Sequence, residues 1–277
     1  MKICLVHNEY GKFSGEEAVV AQQRDLLKGR GHDVRMFTRS SADISDTLSG
    51  KAHAFFSGIY SRSSRKIFCR ELESFTPDLI HIHNLFPLIS PSILPECRTT
   101  GIPVVMTLHN FRLICPNALL FSHHEICRKC LGGREWHCVL RNCEGSLSKS
   151  LGYALRTAVS RQFRWFFDNV DVFICLTEFQ RQIYISQGFP PDRCVVIPNF
   201  ISLPVTPPLP HSALSAPDLS SSSLPHSAFP TPPSPLTTHH SPLPTHHPPL
   251  PSSSTPAASV LRRMFLHFWR LLVSCRN

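Results

Sequence analysis

Short runs of Val, Ile and Leu, set apart by stretches with helical spacing, constrain this chain more than any other feature. Ile3-Cys4-Leu5-Val6, Leu79-Ile80-His81-Ile82 and Val104-Val105-Met106-Thr107-Leu108 have the length of strands and fall short of helices. Continuous apolar runs of this kind are buried on both faces, as in a parallel sheet covered by helices. Each run ends in the same dipeptide: His7-Asn8, His83-Asn84 and His109-Asn110. Open α/β sheets bind ligands beyond the carboxyl ends of their strands. Three imidazole–amide pairs at one sheet edge predict a polar, uncharged cleft. It suits hydroxyl-rich ligands, because both groups donate and accept hydrogen bonds.

The expected elements alternate. Strands are expected at Ile3–Val6, Val34–Thr38, Asp78–His83, Pro103–His109, Asp171–Thr177 and Arg193–Ile197. Helices fall at Glu16–Lys28, Arg65–Phe75, Ser92–Arg98, Leu147–Asp168 and Glu178–Gln187. This order describes an α/β fold with a doubly wound, Rossmann-like parallel sheet. Ser14 and Glu17 form a capping box, and Val19, Val20, Leu26 and Leu27 of that helix face the sheet. Ser40–Ser61 is poorly patterned and reads as a surface excursion, and a cysteine-bearing insertion runs to about Ser146.

Near Phe200 the composition changes. Sixteen of the 25 prolines lie between Pro204 and Pro256, and Leu209-Pro210-His211-Ser212-Ala213 returns at Leu224–Ala228. Residues 201–256 are a low-complexity segment too polar to offset chain entropy and are expected to be disordered; the tail's histidine pairs belong to it. Residues 257–277 form a basic, apolar stretch with a short amphipathic helix expected at Val260–Val273. Four arginines against Asp218 make the tail net +3, leaving +6 of the formal +9 for residues 1–200. That mild excess fits anionic ligands or a membrane surface, while the lack of dense Lys/Arg runs argues against nucleic acid. No leader precedes the first strand and no run is long enough to span a bilayer, so a cytoplasmic protein is expected, its eleven cysteines reduced.

Five pieces carry a resemblance: MKICLVHNEYGKFSGEE from Met1, KGRGHDV from Lys28, PDLIHIHNLFPLISPSIL from Pro77, GIPVVMTLHNFRLICPNALLF from Gly101, and DVFICLTEFQRQIYISQGFPPDRCVVIPNFI from Asp171. In this order they resemble the N-terminal domain of family 4 retaining glycosyltransferases, which have the two-domain GT-B fold. The resemblance spans nearly all of residues 1–200. It implies an acceptor-side domain, with a nucleotide-sugar gripped by a separate donor domain and no metal needed for transfer. By resemblance, His109 contacts the transferred sugar, Ser14 and Gly15 face the donor phosphates, and His83, Asn84 and Asn110 line the acceptor side. The family more often has Gly-Gly where Ser14-Gly15 stands.

One departure is larger. The family's donor domain carries a Glu-x7-Glu element, yet Glu178 is the last glutamate of this chain. The resemblance thus implies a glycosyltransferase half, inactive alone, whose relatives move a sugar to a glycan or lipid-linked hydroxyl with retention. Two other readings stand beside it. The chain is a non-catalytic acceptor- or partner-binding module complementing a separate donor domain, or its tail is the product of a frameshift.

His81 alternates with His83 and reads as structural, and an asparagine that starts a turn accounts for Asn8 nearly as well as a ligand does. The first loop lacks both Gly-x-Gly-x-x-Gly and a P-loop, which disfavours a dehydrogenase or P-loop enzyme. A helix N-terminus behind Gly15 can still attract an anion. Cys127-x2-Cys130 followed by Cys138 and Cys143, with His137 as a substitute, has the spacing of a structural zinc knuckle; free loop thiols are the alternative. The Leu147–Asp168 helix sets Lys149, Arg156, Arg161 and Arg164 among Leu151, Leu155, Phe163, Trp165 and Phe166. Membrane-surface docking and packing on the sheet both fit, with packing favoured and the arginines on a solvated face.

Overall fold

The computed structural model describes residues 1–10, 14–44 and 47–199. The expectations for 201–256 and 257–277 lie outside them. In chain order the elements are β1 (Lys2–Glu9), α1 (Gly15–Gly29), β2 (Asp33–Ser40), α2 (Leu48–Ile59), α3 (Arg62–Phe75), β3 (Leu79–Asn84), α4 (Leu94–Thr100) and β4 (Val104–Leu108). A small ribbon follows, β5 (Phe121–Ser122) and β6 (Glu125–Ile126), then α5 (Trp136–Leu140), α6 (Leu147–Gln162), α7 (Trp165–Asn169), β7 (Val172–Cys175), α8 (Glu178–Ser186) and β8 (Cys194–Val196).

Six strands form one parallel sheet in the order β2-β1-β3-β4-β7-β8. The chain leaves β1 on one side to make β2 and on the other to make β3. The topological switch point, where such sheets open a crevice, therefore lies between β1 and β3. His7 and Asn8 stand on one side of it and His83 and Asn84 on the other.

Strand alternation divides the core. Cys4, Val6, Ile80, Ile82, Met106 and Leu108 pack with Phe68 and Leu72 of α3, Leu94 of α4, Phe166 and Tyr184. Ile3, Leu5 and Leu79 point the other way, against Leu27 of α1 and Val34. Burying a side chain such as Ile80 or Ile82 contributes about 1.5–3 kcal/mol. His7, His81, His83 and Thr107 hold odd-numbered positions, on the side of Ile3 and Leu5.

The capping box at Ser14 is present, and Ser14 N–H donates to Glu17. Val20, Gln23 and Leu27 form the buried line of α1, while Val19 and Leu26 are only half-buried. Four further expectations are corrected. Ser40–Ser61 is no irregular excursion: it holds a 3-10 turn (Ser41–Asp43) and α2, whose first turn is capped by Thr47 Oγ1 accepting from Gly50 N at 3.2 Å. Its partner is α6, where a Cβ on Gly152 would stand 2.6 Å from the Phe55 ring. That close approach, invisible in local periodicity, holds the helix in place.

Leu147–Asp168 is two helices. Arg164 adopts a left-handed backbone (φ 52°), which turns the chain so that Phe166 of α7 reaches the core. The expected burial in α6 is also reversed. Leu151, Leu155 and Phe163 are exposed, whereas Ser150, Ala154, Arg156, Thr157 and Ser160 are buried. Small residues let α6 lie close to α2 and α5, and Arg156 is stacked over the Tyr153 and Phe86 rings at 3.8 and 4.5 Å. Finally, β1 extends to Glu9, so His7 and Asn8 lie inside a strand, not beyond it. Among the described residues no helix is long and apolar enough to cross a membrane.

Candidate functional site

Toward its carboxyl edge the sheet gathers four histidines, three of them stacked and the fourth edge-on. The His81 and His83 rings lie 4.4 Å apart and nearly parallel, and His83 stacks on His109 at 5.2 Å. His83 Nδ1 and His109 Nε2 share a hydrogen bond of 2.9 Å. His7 meets His83 edge-on at 6.4 Å. His81 is fully buried and bonds Thr107 Oγ1 at 2.8 Å, in keeping with a structural residue.

Burial holds these imidazoles neutral. It lowers His7 and His109 to about 4 and His81 to about 3, with Glu17 opposing the shift at His7 and the other imidazoles adding to it elsewhere. His83 is pushed well below its ordinary value by burial first and by His81, His109 and His7 next. Neutral imidazole pairs a donor with an acceptor, so the His83–His109 bond orders the two tautomers. His83 Nε2 is buried without a hydrogen-bond partner.

The asparagines differ in role. Asn8 is fully buried: its Nδ2 donates to Ser41 Oγ (3.0 Å) and to the Glu9 carbonyl, and its Oδ1 accepts from Leu88 N (2.9 Å). Asn84 Nδ2 donates to the Asn8 and Phe86 carbonyls and its Oδ1 accepts from Phe86 N. Both amides thus fasten the strand ends to the loop after β3. Asn110 is half-buried, and its Oδ1 accepts from Arg112 N at 3.0 Å. A cavity of about 20 Å³ is lined by His83, Asn84, His109, Asn110, Arg112 and Tyr184. That holds a water but no hexose.

Ser14 stands at the N-terminus of α1, and space is open around Gly15. Glu16 and Glu17 occupy the first turn and already complement the positive end of the helix. Glu17 is taken up by the Tyr10 and Ser14 N–H groups. Glu16 faces His7 Nδ1 at 3.6 Å and accepts from Tyr10 Oη at 3.0 Å. Burial raises the Glu16 carboxyl to about 7, against the Tyr10 hydrogen bond and Arg112, which lower it. A carboxyl titrating near neutrality beside the histidine stack was not picked out from the sequence. In Ser-Gly-Glu-Glu only the second glutamate has the capping spacing, and the first looks like an ordinary helix-start acid.

Sequence reasoning also missed Gln180 and Tyr184. Gln180 Oε1 accepts from Leu176 N (2.7 Å), and its Nε2 donates to the Leu108 carbonyl (2.8 Å). Tyr184 Oη donates to the Asn110 carbonyl at 2.7 Å. From α8 the two residues fix the turn that carries His109 and Asn110. Arg112 is half-buried and Arg156 buried, and neither has a carboxylate ion pair among the described residues. Burial, and then Arg112, lowers the Arg156 guanidinium to about 9. Of the two, Arg112 lines the cavity with His83 and His109, and the carboxyls of Glu16 and Glu144 lie within its electrostatic reach.

The cysteines come together away from the histidines. Cys127, Cys130, Cys138 and Cys143 line one small cavity, with Cys115 as a fifth. His137 stacks on exposed Trp136 and is not among its lining residues.

The family model for Glycosyltransferase Family 4 matches residues 13–204. A search of curated proteins found no match. Among solved structures, UDP-GlcNAc 2-epimerase from Neisseria meningitidis bound to UDP-GlcNAc is 12% identical (TM-score 0.39), covering 71% of this chain and 45% of that one. Anabaena Alr3699/HepE in complex with UDP is 16% identical (TM-score 0.36; 73% and 44%). The lipopolysaccharide outer core galactosyltransferase WaaB in its apo form is 13% identical (TM-score 0.37; 74% and 47%). The chain spans less than half the length of each of these proteins.

Proposed function

This chain belongs to glycosyltransferase family 4, and on that premise we propose that it is the acceptor-side half of a retaining sugar transferase acting in the cytoplasm. The intact assembly moves a sugar from a nucleotide-sugar to a hydroxyl of a glycan or lipid-linked acceptor. The observation that carries this reading is the neutral His83–His109 pair at the carboxyl edge of the sheet, 2.9 Å apart.

Three features give the edge its chemistry. His83 accepts or donates toward His109 and fixes its tautomer, so His109 presents its remaining nitrogen in a defined state to a sugar hydroxyl. Arg112 lines the cavity beside the stack and supplies a positive charge there, which favours an acceptor or donor carrying phosphate, while Arg156 is sealed against the Tyr153 and Phe86 rings. Glu16, titrating near neutrality, can hold or release a proton close to pH 7, with Tyr10 Oη at 3.0 Å and His7 Nδ1 at 3.6 Å beside it. Departure of the nucleoside diphosphate requires a second set of groups that stabilises its charge. These come from a donor domain, in the same assembly or on a separate partner.

The test uses the full chain with a panel of labelled nucleotide-sugars and glycan acceptors, alone and mixed with the donor domain of an intact family member. No turnover is expected alone. Saturation-transfer NMR is expected to show weak sugar binding, lowered about tenfold in His109→Ala by loss of one or two hydrogen bonds. Robust turnover by the chain alone, or identical binding by His109→Ala, would overturn the proposal.

A further inference from the structure

Residues 115–143 form an excursion anchored by Cys115 and Leu120 in the main core, by Glu135 paired with Arg161 at 2.7 Å and by Gly132 N–H on Gln187 Oε1, with little regular structure of its own. Its regular structure is the ribbon β5–β6 and the five residues of α5. Leu119, Phe121, Ile126, Trp136 and Leu140 are exposed, so its apolar side chains contribute little burial. Beyond Cys115, Ala118 and Leu120, which are buried near its start, its buried part is a cluster of Cys130, Cys138 and Ala154, with Val139 and Cys143 packed against it. No described cysteine is in a disulfide. A small segment whose own buried cluster is this thin gains from a staple, either a disulfide or a metal.

We propose that Cys127, Cys130, Cys138 and Cys143 bind one structural zinc ion that ties the two halves of this excursion to each other. Four observations support it. The four cysteines line one small cavity of about 10 Å³, which they share with Cys115 and Ser122 and which has no room for an organic ligand. Gly132 and Gly133, at φ 73° and 81°, turn the chain sharply after the first pair, so that the second pair is brought back toward it. The second pair is in mutual contact through its thiols, and Cys143 N donates to the Cys138 carbonyl at 3.1 Å. Ser122 Oγ donates to Cys143 Sγ at 3.3 Å, an outer contact of the kind that orients a metal-bound thiolate.

The fifth thiol, Cys115, already donates to Asn117 Oδ1 at 3.0 Å and is left as a neighbour. Among the described residues no three such side chains already stand at metal-binding positions. Binding would draw the four sulfurs in to about 2.3 Å from the ion, each losing its proton to solvent. Cys115 lies in the turn whose backbone bonds run from Phe111 to Ala118, immediately after His109 and Asn110. A stapled excursion therefore also steadies the loop that carries the sugar-facing edge.

The test is elemental analysis of the reduced full chain, expressed with zinc, together with cobalt substitution. About one zinc per chain is expected. It should be absent from Cys127→Ser and Cys143→Ser, and retained in Cys115→Ser and in the remote control Cys69→Ser. The cobalt form should show thiolate charge-transfer bands and the visible pattern of a tetrahedral site. This spectrum is read on the unmutated chain, so misfolding of a variant cannot obscure it. A zinc-free protein whose reduced form gives no cobalt bands, or intramolecular disulfides among the four cysteines by mass, would overturn the proposal. Zinc lost in Cys115→Ser but kept in Cys138→Ser would overturn this ligand set.

Discussion

Acid should unfold this domain through the histidines sealed beneath its sheet edge. His7, His81 and His83 are at most 4% exposed and are held neutral by burial. Once the chain unfolds, each returns to its ordinary value of 6.5. Below that pH the unfolded chain binds protons that the native one refuses. The stability is therefore complete above pH 6.5 and is lost as pH falls, down to the folded values of about 4 for His7 and about 3 for His81. Each such proton contributes about 1.4 kcal/mol per pH unit, so three give about 4 kcal/mol per unit. Glu16 acts with the opposite sign. Raised from 4.5 to about 7, it is protonated in the fold where the unfolded carboxyl is not, and between those values it adds stability as pH falls. It offsets about one histidine; His109, also lowered to about 4, adds one, the raised carboxyls of Glu144 and Asp171 act with Glu16, and the net slope is roughly 3 kcal/mol per pH unit. From pH 6.5 to 5 the loss is about 4 kcal/mol, a large part of the 5–15 kcal/mol that stabilises an ordinary domain. Urea unfolding of the full chain, followed by far-UV circular dichroism between about pH 7.5 and 5, measures this directly. His81→Gln should reduce the slope by about one proton, 1.4 kcal/mol per unit. Equal urea midpoints at the two ends of the range would refute the reasoning.

Two substitutions test the packing around the site. Gln180→Ala strands the Leu176 N–H and the Leu108 carbonyl in a buried place, and about 2–4 kcal/mol should be lost, read by the same urea assay. Sugar binding should weaken with it, because the turn carrying His109 loses its brace; a stable variant with unchanged binding would deny Gln180 that role. Gly152→Val places carbon against the Phe55 ring, where even a Cβ stands at 2.6 Å, and overpacking should cost about 1–3 kcal/mol. Thermal unfolding reads it, and Phe55→Ala in the same chain should recover part of the loss.

The parallel sheet was legible in the sequence because strands buried on both faces have to be continuously apolar. Ile80 and Ile82 serve one face of β3 and His81 and His83 the other, and no tertiary information is needed to see that they alternate. The clustering of the three His-Asn pairs followed from the same logic, since parallel strands bring their carboxyl ends to one edge. What those pairs do there depended on contacts between residues distant in the chain. Asn8 meets Ser41 and Leu88, and Asn84 meets Asn8, so two of the amides fasten loops and leave His109 and Asn110 nearer the rim. The raised carboxyl of Glu16 depends on what buries it, and that comes from the tertiary structure. The clearest limit is α6. Its local pattern presents Leu151 and Leu155 as the packing face, yet close approach to α2 through Gly152 turns the small side toward the protein and seals Arg156 inside. Periodicity tells which residues share a face of a helix; only the neighbours available to pack against decide which face is buried.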